Sequence, residues 1–238
     1  MKSFFLRLTG LILLVTFIGC NKTVDVLVVL GGHSFDTTEF FDLFNSLDGI
    51  EMDSVYYPEA MEVMQSGFTD SYDVLVLYDY MPDLPEADSS VFQMLTSQGK
   101  PLLFLHHALC SFQQWDGYME MLGGKYVMTG PGVDPGSLSD YRHDIDMEIE
   151  VVDKGHPVTE GMEDFSIHDE GYSNISLSPG ITPLLKTDHP DASPLVGWST
   201  TSNRSTILYL MLGHDRKAYE NPSFKQLLEQ GIAWLADQ

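Results

Sequence analysis

The chain has 238 residues, with 35 acidic against 12 basic side chains and a formal net charge of −23 at pH 7. That length is enough for one large domain with its own hydrophobic core, or for two small ones. A charge of this sign repels DNA, RNA and anionic lipid headgroups, so the composition argues against nucleic acid as a partner.

Residues 1–19 have the pattern of a targeting segment rather than of a folded element. Lys2 and Arg7 precede an apolar stretch over 8–18. This stretch is too short to span a membrane comfortably, but it has the length of the apolar region of a signal peptide. We therefore exclude residues 1–19 from the fold.

The sequence Phe-Ile-Gly-Cys at 17–20 resembles the lipobox of bacterial lipoproteins. This resemblance implies cleavage before Cys20, a lipid on its sulfur and a short tether over 20–23, so that lipid alone attaches the chain to a membrane. A plain secretory signal cleaved nearby is the alternative. With lipid on Cys20, Cys110 is the one free cysteine that remains, which excludes an intrachain disulfide.

The first half of the chain predicts four strand–helix repeats. Continuous apolar runs of the kind found in fully buried strands begin at 24, 72 and 101, and a weaker strand begins at 50. Helices are predicted between and after these strands, at 37–47, 58–65, 87–98 and 111–122. Short helices that alternate with strands are typical of βαβ units, so we expect an α/β fold with a doubly wound, mainly parallel sheet.

The second half is richer in strands. A glycine–proline loop covers 130–136, and the alternation of apolar and acidic residues over 143–152 predicts a strand with one solvated face. Further strands are predicted at 165–172, 181–185, 194–198 and 206–211, before a final helix over 221–236. No linker separates these segments, so we predict one domain over 24–238 whose β-rich half extends the same sheet.

Histidines follow three of the buried strands. His33 comes after Gly32, His106 and His107 end the run that begins at 101, and His214 follows the last strand. In parallel α/β sheets, ligands bind outside the carboxyl ends of the strands, so these histidines could converge on one crevice. Adjacent strand residues point to opposite faces, so at most one of His106 and His107 should face it, unless the strand has already turned. We predict His107.

A second candidate group is the run His168-Asp169-Glu170-Gly171-Tyr172. Adjacent carboxylates are costly to bury unless they pair, bind a metal or meet a polar substrate. Near a histidine, they are also the usual groups for acid–base catalysis. The sequence alone nevertheless favours a solvated loop in an acidic protein. Asp215 is equally open: it could orient His214 or cap the next segment.

Other chemistry is less well supported by the residues. Histidines with carboxylates can hold zinc or iron, but no two histidines have metal-ligand spacing on one element, so no cofactor is predicted, although a divalent metal is possible. Cys110 lacks the small neighbours of a nucleophile elbow and is expected to be a buried apolar residue. His143 is a weak candidate on an edge strand. Tyr80, Trp115 and Tyr172 could stack on a sugar ring.

Several motifs are similar, in order and spacing, to those of the trehalose-utilisation (ThuA-like) family. They are found at 105–112, 118–126, 155–161, 167–172, 212–215, 221–224 and 232–234. The resemblance implies a flavodoxin-like three-layer sandwich, like that of class I glutamine amidotransferases. It also implies the absence of the amidotransferase cysteine, with His106 and His107 in its place. This sequence departs from the family pattern in Gly171 and Cys110, neither of which removes a candidate catalytic group.

The same resemblance implies carbohydrate catabolism. The expected substrate is a glycoside or 3-keto-glycoside, cleaved or isomerised by acid–base chemistry, with sugar oxidoreductases of the same pathway as partners. The expected catalytic residues are His107, His33, Glu170 and His214. The expected substrate-binding residues are His106, Asp169, Tyr172, Asp215 and Gly32. The alternatives are a non-catalytic sugar-binding lipoprotein that uses the same pocket, and a scaffold.

The resemblance to a lipobox implies a location at the bacterial cell envelope, and the absence of an acidic run just after Cys20 favours the periplasmic side. The sequence leaves the oligomeric state open.

Overall fold

The computed structural model describes residues 23–85 and 88–238. The predicted signal segment 1–19 and the predicted lipidation site Cys20 lie outside these residues. No helix in the described part of the chain combines the length and the apolar character needed to cross a bilayer.

Eleven strands and six α-helices make up the described chain. The strands are β1 (Val24–Gly31), β2 (Ile50–Tyr56), β3 (Val74–Asp79), β4 (Leu102–Leu105), β5 (Gly124–Lys125), β6 (Asp140–Val151), β7 (Phe165–Ser173), β8 (Ser176–Leu177), β9 (Thr182–Lys186), β10 (Leu195–Ser202) and β11 (Ser205–Leu210). The helices are α1 (Thr37–Asn45), α2 (Glu59–Gln65), α3 (Ser89–Gln98), α4 (Asp116–Leu122), α5 (Arg216–Tyr219) and α6 (Pro222–Ala236).

Nine of these strands form one sheet, in the order β2-β1-β3-β4-β11-β10-β9-β6-β7. The pairs from β2 to β11 are all parallel. The pairs from β11 to β7 are all antiparallel. The sheet is therefore mixed, with a parallel first half and a β-rich second half built onto the same sheet, which confirms the predicted α/β class.

Helices cover both faces of the parallel half. Every residue of β3 and β4 is buried, as the continuous apolar runs predict for strands packed on two sides. Helix α6 packs closely on β11 because Gly231 has no Cβ, and a Cβ there would lie 2.7 Å from Leu208 Cδ2. The result is a three-layer sandwich.

Strand β6 and the segment before α4 test two further predictions from the sequence. Along β6, Ile145, Met147, Ile149 and Val151 are buried while the residues between them are exposed, so the predicted half-solvated strand is confirmed. The helix predicted over 111–122 is wrong in its first part. A 3₁₀ turn over His106–Cys110 follows β4 at once, and α4 begins only at Asp116.

Candidate active site

A cavity of about 490 Å³ opens at the carboxyl edge of the parallel half of the sheet. Strands β1, β3, β4 and β11 run in the same direction and end at this edge. The residues just after these strands, His33, Tyr80, His107 and His214, line the cavity. The ring centroid of His33 lies 4.9 Å from that of His107 and 6.0 Å from that of His214. The three strand ends therefore converge as expected.

The two adjacent histidines do not occupy opposite faces of a strand. His106 has a positive φ of 47°, so the backbone turns directly after Leu105 and the alternation of a strand no longer applies. Both side chains are buried. His107 forms part of the cavity wall, as predicted, although it is not exposed. Its Nδ1 has no hydrogen-bond partner among the described residues.

Glu170 lies at the centre of a histidine cluster, so the solvated loop that the sequence favoured is wrong. The residue belongs to β7 and is 4% exposed. Its Oε2 lies 2.9 Å from His106 Nε2 and 3.2 Å from His214 Nδ1. Its Oε1 lies 2.8 Å from Nδ1 of His143. The hydroxyl of Tyr172, which also lines the cavity, is 2.9 Å from His106 Nε2.

Asp169 is buried beside this cluster and binds backbone rather than side chains. Its carboxylate accepts hydrogen bonds from the backbone N–H of Gly213 (2.7 Å), His214 (2.9 Å) and Glu170 (2.8 Å). Asp169 is not part of the cavity wall. It was predicted to bind substrate, but in the structure it holds the backbone of two cluster residues, Glu170 and His214, in place.

The environment separates the proton affinities of these groups. Burial alone would raise the pKa of Glu170, but the imidazoles of His106 and His214 beside its carboxylate hold it well below its usual range. Burial opposes the charged form of His214, yet contact with Glu170 raises its pKa above the ordinary value. Burial lowers the pKa of His33, and it lowers the pKa of His107 much further, with the neighbouring histidines adding to both shifts. These shifts favour the anionic form of Glu170 and the neutral form of His33 and His107.

Two predicted binding residues have structural roles instead. The carboxylate of Asp215 caps α5 by accepting the backbone N–H groups of Lys217 and Ala218, so the capping alternative is the observed one. Gly32 has a φ of 79°, and a Cβ there would lie 1.7 Å from the Tyr80 backbone oxygen. The glycine therefore serves the close approach of two strand ends, and neither it nor Asp215 is part of the cavity wall.

His143 is the cluster residue that sequence reasoning ranked too low. Its strand, β6, lies between β9 and β7, so the sheet edge is β7 and not the predicted β6. Between the pairs Arg142–Gly171 and Ile145–Asp169 the strand carries one extra residue, and Asp144 has a φ of 55°. This bulge accompanies the contact of His143 with Glu170. A break in the alternation before Ile145 is the only signal of it in the sequence.

The aromatic residues and the cysteine divide between cavity and core. Tyr80 lines the cavity and so remains a candidate for stacking on a sugar ring. Trp115 packs in the core against Phe112, with ring centroids 6.0 Å apart, and is absent from the cavity wall, so the stacking role considered for it is wrong. Cys110 is buried as predicted, and burial raises the pKa of its thiol, which disfavours the nucleophilic thiolate.

Within the described residues, one group of side chains has ligand atoms close enough together for a metal ion. His106, Glu170 and His214 each offer one ligand atom, and these atoms lie within 4.8 Å of one another. No single element has metal-ligand spacing in the sequence. Here the three ligand atoms come from three separate segments: the turn after β4, strand β7 and the segment after β11.

Solved structures with the same fold include two ThuA-like proteins and one amidotransferase-like chain. A ThuA-like protein from Parabacteroides merdae ATCC 43184 has a TM-score of 0.71 at 21% identity, over 90% of each chain. A ThuA-like protein from Bacteroides uniformis ATCC 8492 has a TM-score of 0.67 at 18% identity, over 90% of this chain and 91% of that one. A chain of PurLQS from Thermotoga maritima has a TM-score of 0.58 at 14% identity, over 90% and 99%.

These likenesses confirm the glutamine amidotransferase-like fold that the sequence resemblance implied. No curated protein sequence matches the chain significantly. A family model described as trehalose utilisation matches residues 26–235. Because this match covers most of the sequence, the chain belongs to the trehalose-utilisation (ThuA) family.

Proposed function

We propose that the protein acts on a glycoside or 3-keto-glycoside by acid–base chemistry in the cavity described above. The observation that carries this proposal is the convergence of His33, His107, His214 and Glu170 on one cavity. Membership of the trehalose-utilisation family supports the substrate class. A cavity of about 490 Å³ is of the size that small ligands occupy in proteins.

The residues divide into groups that accept and groups that donate protons. In a 3-keto sugar the hydrogen on C2 is acidic because the enolate is stabilised by the ketone. His107 or His33, both neutral, takes this proton, and its electron pair forms the enolate. In elimination, the C1–O bond then breaks and the leaving oxygen takes a proton from His214. Contact with Glu170 raises the pKa of His214 and so favours the protonated imidazole that this step needs.

Proton NMR of the purified protein with trehalose, simple glucosides and their 3-keto forms tests this function. We expect new sugar resonances with at least one member of the panel, and none with heat-inactivated protein. Line broadening of the sugar without new resonances would instead support the non-catalytic sugar-binding protein. If no sugar of the panel showed either conversion or line broadening, the enzyme and the sugar-binding protein would both be overturned. An arm with added sugar oxidoreductase and cofactor supplies the 3-keto form continuously.

We also propose that the protein is held at the cell envelope, on the periplasmic side, by lipid on Cys20. The lipobox-like residues 17–20 support this location. The full-length chain is expected to partition with membranes and to carry lipid by mass spectrometry, and Cys20→Ser should abolish both. Cys110→Ser is the matched control, because Cys110 is buried and should not affect partitioning. Equal membrane partitioning of the Cys20→Ser and wild-type proteins would contradict the lipid anchor.

A further inference from the structure

We propose that His106, His214 and Glu170 form a facial binding site for one divalent first-row transition-metal ion. Two histidines and one carboxylate are a common ligand set for catalytic iron and zinc, and they leave the remaining coordination positions open. Binding of the ion does not depend on the proposed function, whereas its use in sugar chemistry rests on it.

The distances between the three ligand atoms fit one face of an octahedron. His106 Nε2 lies 2.9 Å from both Glu170 Oε2 and His214 Nδ1, and the latter two atoms are 3.2 Å apart. Ligands at about 2.1 Å from a metal are about 3.0 Å apart on an octahedral face and about 3.4 Å apart in a tetrahedron. A single point can therefore lie at bonding distance from all three atoms without movement of the backbone.

The tautomer of His106 is fixed in the form that a metal requires. Its Nδ1 lies 2.6 Å from the backbone oxygen of Met211, which can only accept, so Nδ1 carries the proton. The lone pair of Nε2 then faces Glu170 Oε2, His214 Nδ1 and the hydroxyl of Tyr172, each 2.9 Å away. Where no further proton is present, two acceptor atoms face each other at 2.9 Å. A cation among these atoms removes that repulsion.

The charge around Glu170 calls for a cation. The carboxylate is buried, yet no lysine or arginine is among the residues that line the described cavity. A buried carboxylate needs a positive partner, which the imidazole of His214 can supply in the free protein and which a metal ion would supply in its place. Once an ion has displaced the proton between His214 and Glu170, two neutral imidazoles and one carboxylate carry one negative charge, which a divalent ion overcompensates by one. Such a net positive charge suits polarisation of a sugar oxygen, so a bound ion would stabilise the leaving oxygen in place of the proton on His214.

Groups behind the ligands hold them in place, as is usual in metal sites. Asp169 accepts the backbone N–H of Glu170 and of His214, and Met211 orients the ring of His106. His143 contacts the second oxygen of Glu170, which leaves Oε2 for the ion. Glu170 and His214 line the cavity whereas His106 is fully buried, so open coordination positions would face the substrate space.

A second histidine–carboxylate group already contains a positively charged side chain and provides the control for metal binding. His168 lies 2.7 Å from Asp146 Oδ1 and 3.2 Å from Asp144 Oδ1. The ammonium of Lys217 is already between these acceptors, 2.7 Å from Asp144 Oδ1 and 3.0 Å from His168 Nε2. Lysine supplies the positive charge there, and we expect no metal at this group.

Titration of chelator-treated protein with Mn²⁺, Co²⁺ or Zn²⁺ alone, followed by calorimetry and by the visible spectrum of Co²⁺, tests the site. We expect one ion per chain. Glu170→Gln keeps the shape of the side chain but removes its charge, and should weaken binding by at least about 100-fold. Asp169→Asn should weaken it by about 10–100-fold through the ligand backbone. His168→Gln, on the same strand, should leave it unchanged.

Diffraction from a Co²⁺-soaked crystal should give an anomalous peak within about 2.3 Å of the three ligand atoms. The proposal is overturned by the absence of saturable binding, by equal affinity in the Glu170→Gln and wild-type proteins, or by a peak elsewhere. These readouts involve no sugar. Turnover that persists in chelator would show that the proposed function does not need the ion. A bound ion without turnover of any sugar would leave the metal site and overturn the proposed function.

Discussion

Replacing His107 with glutamine is expected to lower the turnover number for the converted sugar by about 10²–10⁴-fold, the usual contribution of a positioned acid–base group. His107 lines the cavity, and burial keeps its imidazole neutral at physiological pH. Its Nδ1 has no hydrogen-bond partner among the described residues, so substitution removes no hydrogen bond at that nitrogen. Glutamine fills most of the same space but cannot act as a base, and so separates proton transfer from packing. His107→Ala should lose as much activity and also some stability.

The matched control is His156→Gln. His156 is a partly buried histidine whose pKa burial also lowers, but it packs on Trp234, with ring centroids 4.7 Å apart, away from the cavity. Its variant should keep full turnover. Steady-state rates and thermal melting of both variants provide the measurement. A His107→Gln protein that melts like the wild type and turns over within a factor of about three would remove His107 from the chemistry and leave His33 as the base.

The parts of the site that are local in sequence could be predicted. A buried strand reads as an apolar run, and a histidine directly after it lies at the carboxyl edge whatever the neighbours are. His33, His107 and His214 therefore reached the cavity as expected. The parallel direction of the first strands and the position of the final helix also follow from local patterns of hydrophobicity.

The parts that depend on distant partners could not be predicted. In the sequence, Asp169 and Glu170 have the pattern of a solvated loop, because their hydrogen-bond partners lie far along the chain. Asp169 binds N–H groups 44 and 45 residues away, and Glu170 binds a histidine 64 residues away. The bulge that accompanies the contact of His143 with Glu170 depends on the register with β7, which alternation within β6 does not reveal. The positive φ of His106 likewise has no signal in its own side chain.

Replacing Asp79 with asparagine is expected to make stability less dependent on pH and to stabilise the protein at alkaline pH. Asp79 ends β3 and is fully buried. Its Oδ2 accepts a hydrogen bond from Ser111 Oγ at 2.7 Å, whereas Oδ1 has no partner among the described residues. Burial, only partly offset by Ser111, raises the pKa of Asp79 to about 7. The folded protein therefore holds this proton more tightly than the unfolded chain does.

The sign follows from proton linkage. Between the unfolded pKa of about 4 and the folded pKa of about 7, the folded state binds more protons, so the free energy of unfolding falls as pH rises. The slope is about 1.4 kcal/mol per pH unit at most, and it disappears above pH 7. Asparagine does not titrate. The difference in unfolding free energy between Asp79→Asn and wild type should thus grow by about 2 kcal/mol from pH 5.5 to 8.5.

Urea unfolding of both proteins at several pH values in this interval measures that difference. A buried amide N–H without a partner adds a constant cost to Asp79→Asn, so the change with pH, and not the offset, is the informative quantity. Asp48→Asn, at an exposed position, is the control and should give a difference that stays flat. If the Asp79→Asn difference were equally flat, the carboxyl would have to be ionised in the folded protein. Its burial beside the histidine cavity would then require a positive partner that the described residues do not supply.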